Sequence, residues 1–167
     1  MTNSTATSVT TQVFRVYIKT SAERVWEAIT SPEWNDKYGY HAVSEYDLKP
    51  GGAYRALATA DMVAGGAPEV LIDGEVVEVD PPHKLVQTYR MLFSPAHEAE
   101  GFNVVTYDIV DEGQGVVRLT VTHDLSTAPI TAATVHGDTP LFEGGGGWSW
   151  ILSDLKSFLE SGTSIAD

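Results

Sequence analysis

Hydrophobic and polar residues alternate along several segments of this chain, with the two-residue period of a strand that is buried on one face. In the first segment, 12–19, Phe14, Val16 and Ile18 share one side. Short spacings and turns rich in Gly and Pro favour antiparallel hairpins, because parallel crossovers need about a dozen residues or more. The pattern predicts an antiparallel meander, whose further strands are expected at 41–48, 54–59, 70–80, 84–93, 102–110 and 116–125.

Two short helices are predicted directly after the first strand. Thr20 followed by Glu23 forms a capping box, in which the hydroxyl and the carboxylate satisfy backbone donors at a helix start. Ser31 followed by Pro32 predicts a second start, because Ser accepts from free amides and Pro loses nothing at the first helical position.

A long amphipathic helix is predicted at the C-terminal end, over 141–161, and it ends near Gly162. Its polar side is expected to carry Ser153, Asp154, Lys156 and Glu160. Its apolar side has the i, i+3, i+4, i+7 spacing, with Trp148, Ile151, Leu152, Leu155, Phe158 and Leu159. A strand, two short helices, about six strands and a long helix predict an α+β fold with the last helix packed across the sheet.

One domain is predicted from the length of 167 residues and the 43% hydrophobic content. Small polar residues at 1–11 predict a flexible N-terminal tail. The domain is expected at 12–161, followed by a C-terminal tail at 162–167.

Charge and composition exclude several classes of partner. Ten Lys and Arg against 23 Asp and Glu give a net charge of −13, which disfavours nucleic acid and anionic membranes. No apolar run suits a membrane helix, and the first residues lack a basic start, so we expect a cytoplasmic protein.

No metal site and no cofactor are expected. The chain has no cysteine, and its five histidines are scattered without metal-ligand spacing. The glycine run 144–147 lacks the GKS or GKT of a phosphate loop, so it predicts close packing or a gap at the start of the long helix.

Four stretches, 22–34, 48–52, 74–86 and 148–160, resemble the START-like, birch-pollen-allergen-like helix-grip superfamily, also called SRPBCC. Within it, the chain resembles most the branch related to the heat-shock protein 90 ATPase activator. The resemblance implies a curved antiparallel sheet of about six to seven strands that closes over the C-terminal helix around an apolar cavity. It also implies one of three roles: binding of hydrophobic small molecules, polyketide cyclase-like or dehydratase chemistry, or assistance to a chaperone.

The inward faces of the predicted strands are apolar, and a few of their side chains end in a polar group. This composition suits a ligand pocket as well as an ordinary core. Gly74 and the run 144–147 are expected to leave room beside the aromatic residues. The candidate ligand-binding residues are Trp34, Tyr38, Tyr89, Met91, Phe93, Tyr107, His123, Trp148, Trp150 and Leu152.

Binding of a hydrophobic or aromatic small molecule between the sheet and the C-terminal helix is the favoured function. One alternative is a cyclase or dehydratase that uses His123 and a tyrosine as acid and base, although a buried, hydrogen-bonded histidine is the favoured interpretation of His123. The other is a chaperone-associated protein. A homodimer is left open.

Overall fold

A seven-stranded antiparallel sheet with the order β1-β7-β6-β5-β4-β3-β2 curves around one long helix in the computed structural model, which describes residues 11–167. The strands are β1 (Thr11–Lys19), β2 (Val43–Tyr46), β3 (Ala53–Leu57), β4 (Val70–Asp80), β5 (Lys84–Met91), β6 (Asn103–Gly113) and β7 (Val116–Asp124). The helices are α1 (Ala22–Thr30), α2 (Pro32–Asn35), α3 (Ala60–Ala64), α4 (Pro95–Ala99), α5 (Pro129–His136) and α6 (Gly147–Ser161). The predicted α+β class is confirmed.

The two-residue alternation sets the inner face of the sheet. Along β5, Leu85, Gln87, Tyr89 and Met91 are all buried, and the residues between them are partly exposed. Leu85 lies opposite Tyr107 of β6, so the inner faces of neighbouring strands form one continuous wall.

Helix α1 begins one residue later than the capping box predicted. Ser21 is the N-cap, and its Oγ accepts from the backbone N–H of Arg24 at 3.3 Å. The backbone N–H of Thr20, which a capping box would pair with Glu23, donates instead to the carbonyl of Gly115 at 3.0 Å and continues the strand pairing. Helix α2 begins at Pro32 as predicted, but Ser31 makes no side-chain capping bond.

The C-terminal helix is shorter than the predicted 141–161. A single 3-10 turn at Leu141–Glu143 and a glycine turn precede α6, which begins at Gly147. Gly144 and Gly146 have φ values of 85° and 92°, which interrupt a right-handed helix and suit only glycine well. Within α6, Trp148, Leu152, Leu155, Phe158 and Leu159 are buried and Ile151 is half-buried.

Three short helices, α3, α4 and α5, were not predicted. Helices α3 and α4 have five residues each, too few to show an apolar stripe. Helix α5 contains β-branched residues that are poor helix formers. Strand limits also shift: β2 covers only part of 41–48, and β5 ends at Met91, before Phe93.

At the ends of the chain, Met1 to Thr10 of the predicted N-terminal tail lie outside the described residues. Thr11 belongs to β1, where it pairs with Asp124. In the C-terminal tail, Ser164 is buried and bonded to α6. None of the helices within 11–167 combines the length and apolar character that a membrane crossing requires.

Candidate functional site

A cavity of about 300 Å³ lies between the inner face of the sheet and α6. The sheet contributes residues from six strands, and α6 covers them with Trp148, Ile151, Leu152 and Leu155. The loop after α2, one residue of α3 and two residues of α5 contribute further to the walls. The remaining lining residues are Ile29, Asn35, Tyr38, Gly39, Tyr40, Ala42, Ser44, Tyr46, Tyr54, Ala56, Met62, Leu71, Ile72, Tyr89, Met91, Phe93, Tyr107, Leu119, Thr134, Val135, Gly144 and Gly147.

The walls of this cavity are aromatic and carry no charge. Among residues 11–167, none that lines it is Asp, Glu, Lys, Arg or His, although these charged types are frequent elsewhere in the chain. Six of the seven tyrosines of the sequence line it, and only Tyr17, on the outer face of β1, does not. The site therefore offers hydroxyl groups and ring surfaces to a bound molecule.

Three of these tyrosines direct their hydroxyl groups to protein acceptors. Tyr38 donates to the carbonyl of Ala28 at 2.8 Å, and Tyr46 donates to Oε1 of Gln87 at 2.6 Å. Tyr40 donates to the carbonyl of Gly145 at 2.5 Å and accepts from the N–H of Gly147 at 2.9 Å. The two bonds of Tyr40 hold the loop after α2 against the start of α6, while Tyr38 and Tyr46 are fixed to α1 and β5.

Tyr89 differs from these three. It is buried on β5, and its hydroxyl makes no hydrogen bond with any residue from 11 to 167. Burial raises the pKa of Tyr89 well above its usual value, and the neighbouring Tyr54 and Tyr40 raise it further. Tyr89 is therefore a neutral hydroxyl whose proton is available to a ligand.

The other inner tyrosines are also held in the neutral form. Burial raises the pKa of Tyr54 to about 12 and that of Tyr107 well above the usual value. Tyr54 and Tyr46 stack with ring centroids 4.7 Å apart. At neutral pH the wall consists of phenols, not phenolates.

His123 lies in the core behind the cavity and does not line it. The indole N–H of Trp148 donates to its Nδ1 at 3.0 Å, so its Nε2 carries the proton and donates to Oδ1 of Asn103 at 2.5 Å. Burial lowers the pKa of His123 to about 3, and Asp124 opposes this shift. His123 is a neutral, fully bonded imidazole that positions Trp148.

We expect the stability of the protein to fall as the pH decreases from 6.5 to 5, because of His123. Below its ordinary pKa of 6.5, the unfolded chain binds a proton that the native imidazole, with a pKa of about 3, does not bind. At pH 5 the native state should have lost about 2 kcal/mol relative to pH 7.5. Urea unfolding at a series of pH values measures this slope.

The variant His123→Gln should flatten that slope, while His136→Gln, which removes an exposed histidine, should leave it unchanged. From pH 5 upward, Glu100 and Glu160, whose pKa values are lowered in the native state, are mostly ionised in both states and add little to the slope. An unchanged slope in His123→Gln would show that another group causes the loss.

The structure brings seven of the ten candidate site residues to the cavity and leaves three outside. Trp34 lies on the far side of Phe158, with ring centroids 5.9 Å apart, and contacts Arg24. His123 is behind Trp148, and the half-buried Trp150 lies beside the glycine turn. The seven that line the cavity are Tyr38, Tyr89, Met91, Phe93, Tyr107, Trp148 and Leu152.

Several lining residues were not predicted as site residues. Tyr46 and Tyr54 had a usable signal, because both lie in segments with strand composition, where the alternation could have placed them inward. Met62 and Val135 had none, because they lie on the unpredicted helices α3 and α5.

The glycines have two different roles. A Cβ on Gly74 would lie 2.0 Å from the carbonyl oxygen of Thr88, so this glycine permits close strand pairing and does not line the cavity, contrary to expectation. Gly144 and Gly147 do line it. Gly147 also lets α5 and α6 approach, since a Cβ there would lie 2.1 Å from the carbonyl oxygen of Val135.

No group of three or more His, Asp or Glu within residues 11–167 is arranged to hold a metal ion. The cavity walls offer phenol, amide and hydroxyl oxygens from separate elements, and these weakly basic groups are poor metal ligands.

Comparison with known proteins identifies a family for most of the chain. The sequence model described as "Activator of Hsp90 ATPase homolog 1-like protein" matches residues 19–160. No curated protein matches the sequence.

Solved structures with the same fold come from several organisms. CalU16 from Micromonospora echinospora is 20% identical, with 91% of this chain and 77% of that chain covered and a TM-score of 0.61. An HSP90 activator from Plasmodium falciparum is 18% identical, with coverages of 94% and 91% and a TM-score of 0.54. The Aha1 dimer from Colwellia psychrerythraea is 16% identical, with coverages of 91% and 97% and a TM-score of 0.60. At such identities the similarity establishes the fold alone.

Proposed function

Since this chain belongs to the activator of Hsp90 ATPase homolog 1-like family, within the helix-grip superfamily that its sequence resembles, we propose that it binds a hydrophobic or aromatic small molecule between the sheet and α6. The observation that carries this proposal is the uncharged cavity of about 300 Å³.

A cavity of this size is unlike an ordinary core. Protein interiors pack as densely as organic crystals, with few voids larger than a water molecule. Ligand pockets begin at roughly 300 Å³, and they combine an apolar lining with a small number of polar groups. The lining here has that composition, with Met91, Leu119 and Leu152 beside the tyrosine hydroxyls.

The raised pKa values of the titratable lining residues favour ligand binding over cyclase or dehydratase chemistry. A general acid or base works best with a pKa near the working pH. Among the described residues, the titratable groups that line the cavity are tyrosines, and burial raises the pKa of Tyr54, Tyr89 and Tyr107. His123, the candidate catalytic residue, is behind the wall with both ring nitrogens bonded.

A chaperone-associated role is the second candidate, and the family match over residues 19–160 favours it. Measuring the ATPase rate of an Hsp90 with and without this protein tests that role. Native mass spectrometry of the same preparation tests both a homodimer and a retained ligand, because the two add different masses to the monomer.

We expect an uncharged apolar probe, N-phenyl-1-naphthylamine, to bind the wild-type protein with enhanced fluorescence and to bind Ala56→Phe at least about tenfold more weakly. Ala56 is buried on β3 and lines the cavity, so a phenyl group there occupies the space of the ligand. Fluorescence titration gives both dissociation constants.

Ala53→Phe is the matched control, because Ala53 lies on the same strand but is exposed. It should leave the affinity unchanged. Equal binding by Ala56→Phe and wild type, or no binding to either, would contradict the proposed site.

A further inference from the structure

We propose that the ligand is an uncharged aromatic compound with a carbonyl oxygen, and that the phenol of Tyr89 donates a hydrogen bond to this oxygen. This inference rests on the proposed function and specifies the chemical class of the ligand.

The absence of charge on the walls argues for an uncharged ligand. An ion that leaves water needs a partner of opposite charge, and among residues 11–167 the cavity lining contains none. The net charge of −13 also repels anions from the whole protein. A cation would gain only the attraction of the aromatic rings, with no carboxylate on the walls to pair with it.

The supply of hydrogen-bond donors argues for an acceptor on the ligand. Tyr38, Tyr40 and Tyr46 already donate to protein oxygens, but the hydroxyl of Tyr89 has no partner among the described residues. Because Tyr89 lines the cavity, its hydroxyl can donate a hydrogen bond to an acceptor on the ligand.

Gln87 gives a second, independent indication of unmet donors in the same wall. It is fully buried on β5, on the same face as Tyr89. Its Oε1 accepts from Tyr46, while its Nε2 has no hydrogen-bond partner among residues 11–167. The amide N–H group of Gln87, which does not itself line the cavity, is therefore a further donor without a protein acceptor beside this wall.

The arrangement of the rings favours an aromatic skeleton. The indole of Trp148 is edge-on to Tyr107, with centroids 6.0 Å apart at 78°, and tilted to Tyr89 at 6.5 Å. Aromatic groups prefer such edge-to-face and offset contacts, so a flat ring that lies in the cavity against these side chains finds complementary surfaces.

Four naphthalenes of similar shape test the proposal by calorimetric titration of the full chain at pH 7.5. They are the ketone 2-acetylnaphthalene, its hydrocarbon isostere 2-isopropenylnaphthalene, the anion 2-naphthoate and the cation 2-naphthyltrimethylammonium. We expect the ketone to bind about tenfold more tightly than the hydrocarbon, and both to bind more tightly than the two ions.

Tyr89→Phe should reduce the affinity for the ketone to that for the hydrocarbon and leave the hydrocarbon affinity unchanged. Tyr17→Phe removes the one tyrosine hydroxyl outside the cavity and should change neither. Melting temperatures of both variants confirm that they are folded.

The outcomes separate this inference from the proposed function. If no naphthalene binds, the proposed function fails and the inference fails with it. If the hydrocarbon binds as tightly as the ketone, only the carbonyl assignment is overturned. Tighter binding of either ion overturns the uncharged class. Equal loss of ketone and hydrocarbon in Tyr89→Phe overturns the donor role of Tyr89.

Discussion

Replacing Leu155 with Ala should lower the free energy of unfolding by about 2–5 kcal/mol. Leu155 lies in the middle of α6, on the side that faces the sheet, and only 1% of its surface is exposed. The loss combines the transfer of the deleted carbon atoms with the void that they leave. One side of Leu155 already borders the cavity, where the side chain has fewer contacts to lose, so the lower half of this range is expected.

Urea denaturation of both proteins measures the difference, and Leu48→Ala is the matched control. Leu48 is 39% exposed in the loop after β2, and its truncation should change stability by no more than about 0.5 kcal/mol. If Leu155→Ala were as stable as the control, α6 would not be seated on the sheet as described.

The sheet could be predicted because its strands repeat one pattern over many residues. Segment 116–125 was predicted from the alternation of Val117, Leu119, Val121 and His123, and β7 covers 116–124 with all four buried. Segment 70–80 matches β4 at both ends. The two-residue alternation is a local property of the sequence. It therefore predicts which side chains of a strand face inward without knowledge of the neighbouring strands.

Helix limits were harder to predict, because they depend on contacts between distant segments. The start of α6 is fixed by the glycine turn and by the hydroxyl of Tyr40, which bonds both Gly145 and Gly147. The pattern of apolar and polar residues over 141–161 gives no indication of that contact. The short helices α3 and α5 lack a local apolar stripe, so the cavity residues that they supply had no sequence signal.

The sequence predicted residues of the cavity wall better than the cavity itself. Seven of the ten candidate residues line it, because inward position follows from alternation along β5 and β6 and from the apolar stripe of α6. The volume depends on how far α6 lies from the sheet, which no single segment encodes. The state of His123 likewise depends on Asn103 and Trp148, which are 20 and 25 residues away in the sequence.

Asp154 is the residue for which helical periodicity was wrong. The amphipathic pattern placed it on the polar side of the last helix, yet its side chain is fully buried. Its Oδ2 accepts from the backbone N–H of Gly39 at 2.9 Å and from the Ser164 hydroxyl at 2.7 Å, and its Oδ1 accepts from the N–H of Ile165 at 2.5 Å. The residues after Gly162 fold back over this side of α6 and cover it.

Asp154→Ala should therefore lower the free energy of unfolding by about 3–5 kcal/mol, since it leaves three donors without their charged acceptor. Asp154→Asn, which keeps one acceptor oxygen, should lose about half as much. Because Gly39 lines the cavity, Asp154→Ala should also weaken binding of N-phenyl-1-naphthylamine. Asp138→Ala, which removes an exposed carboxylate, is the control for both measurements and should change neither. Equal stability of Asp154→Ala and Asp138→Ala would mean that the C-terminal residues do not pack on α6.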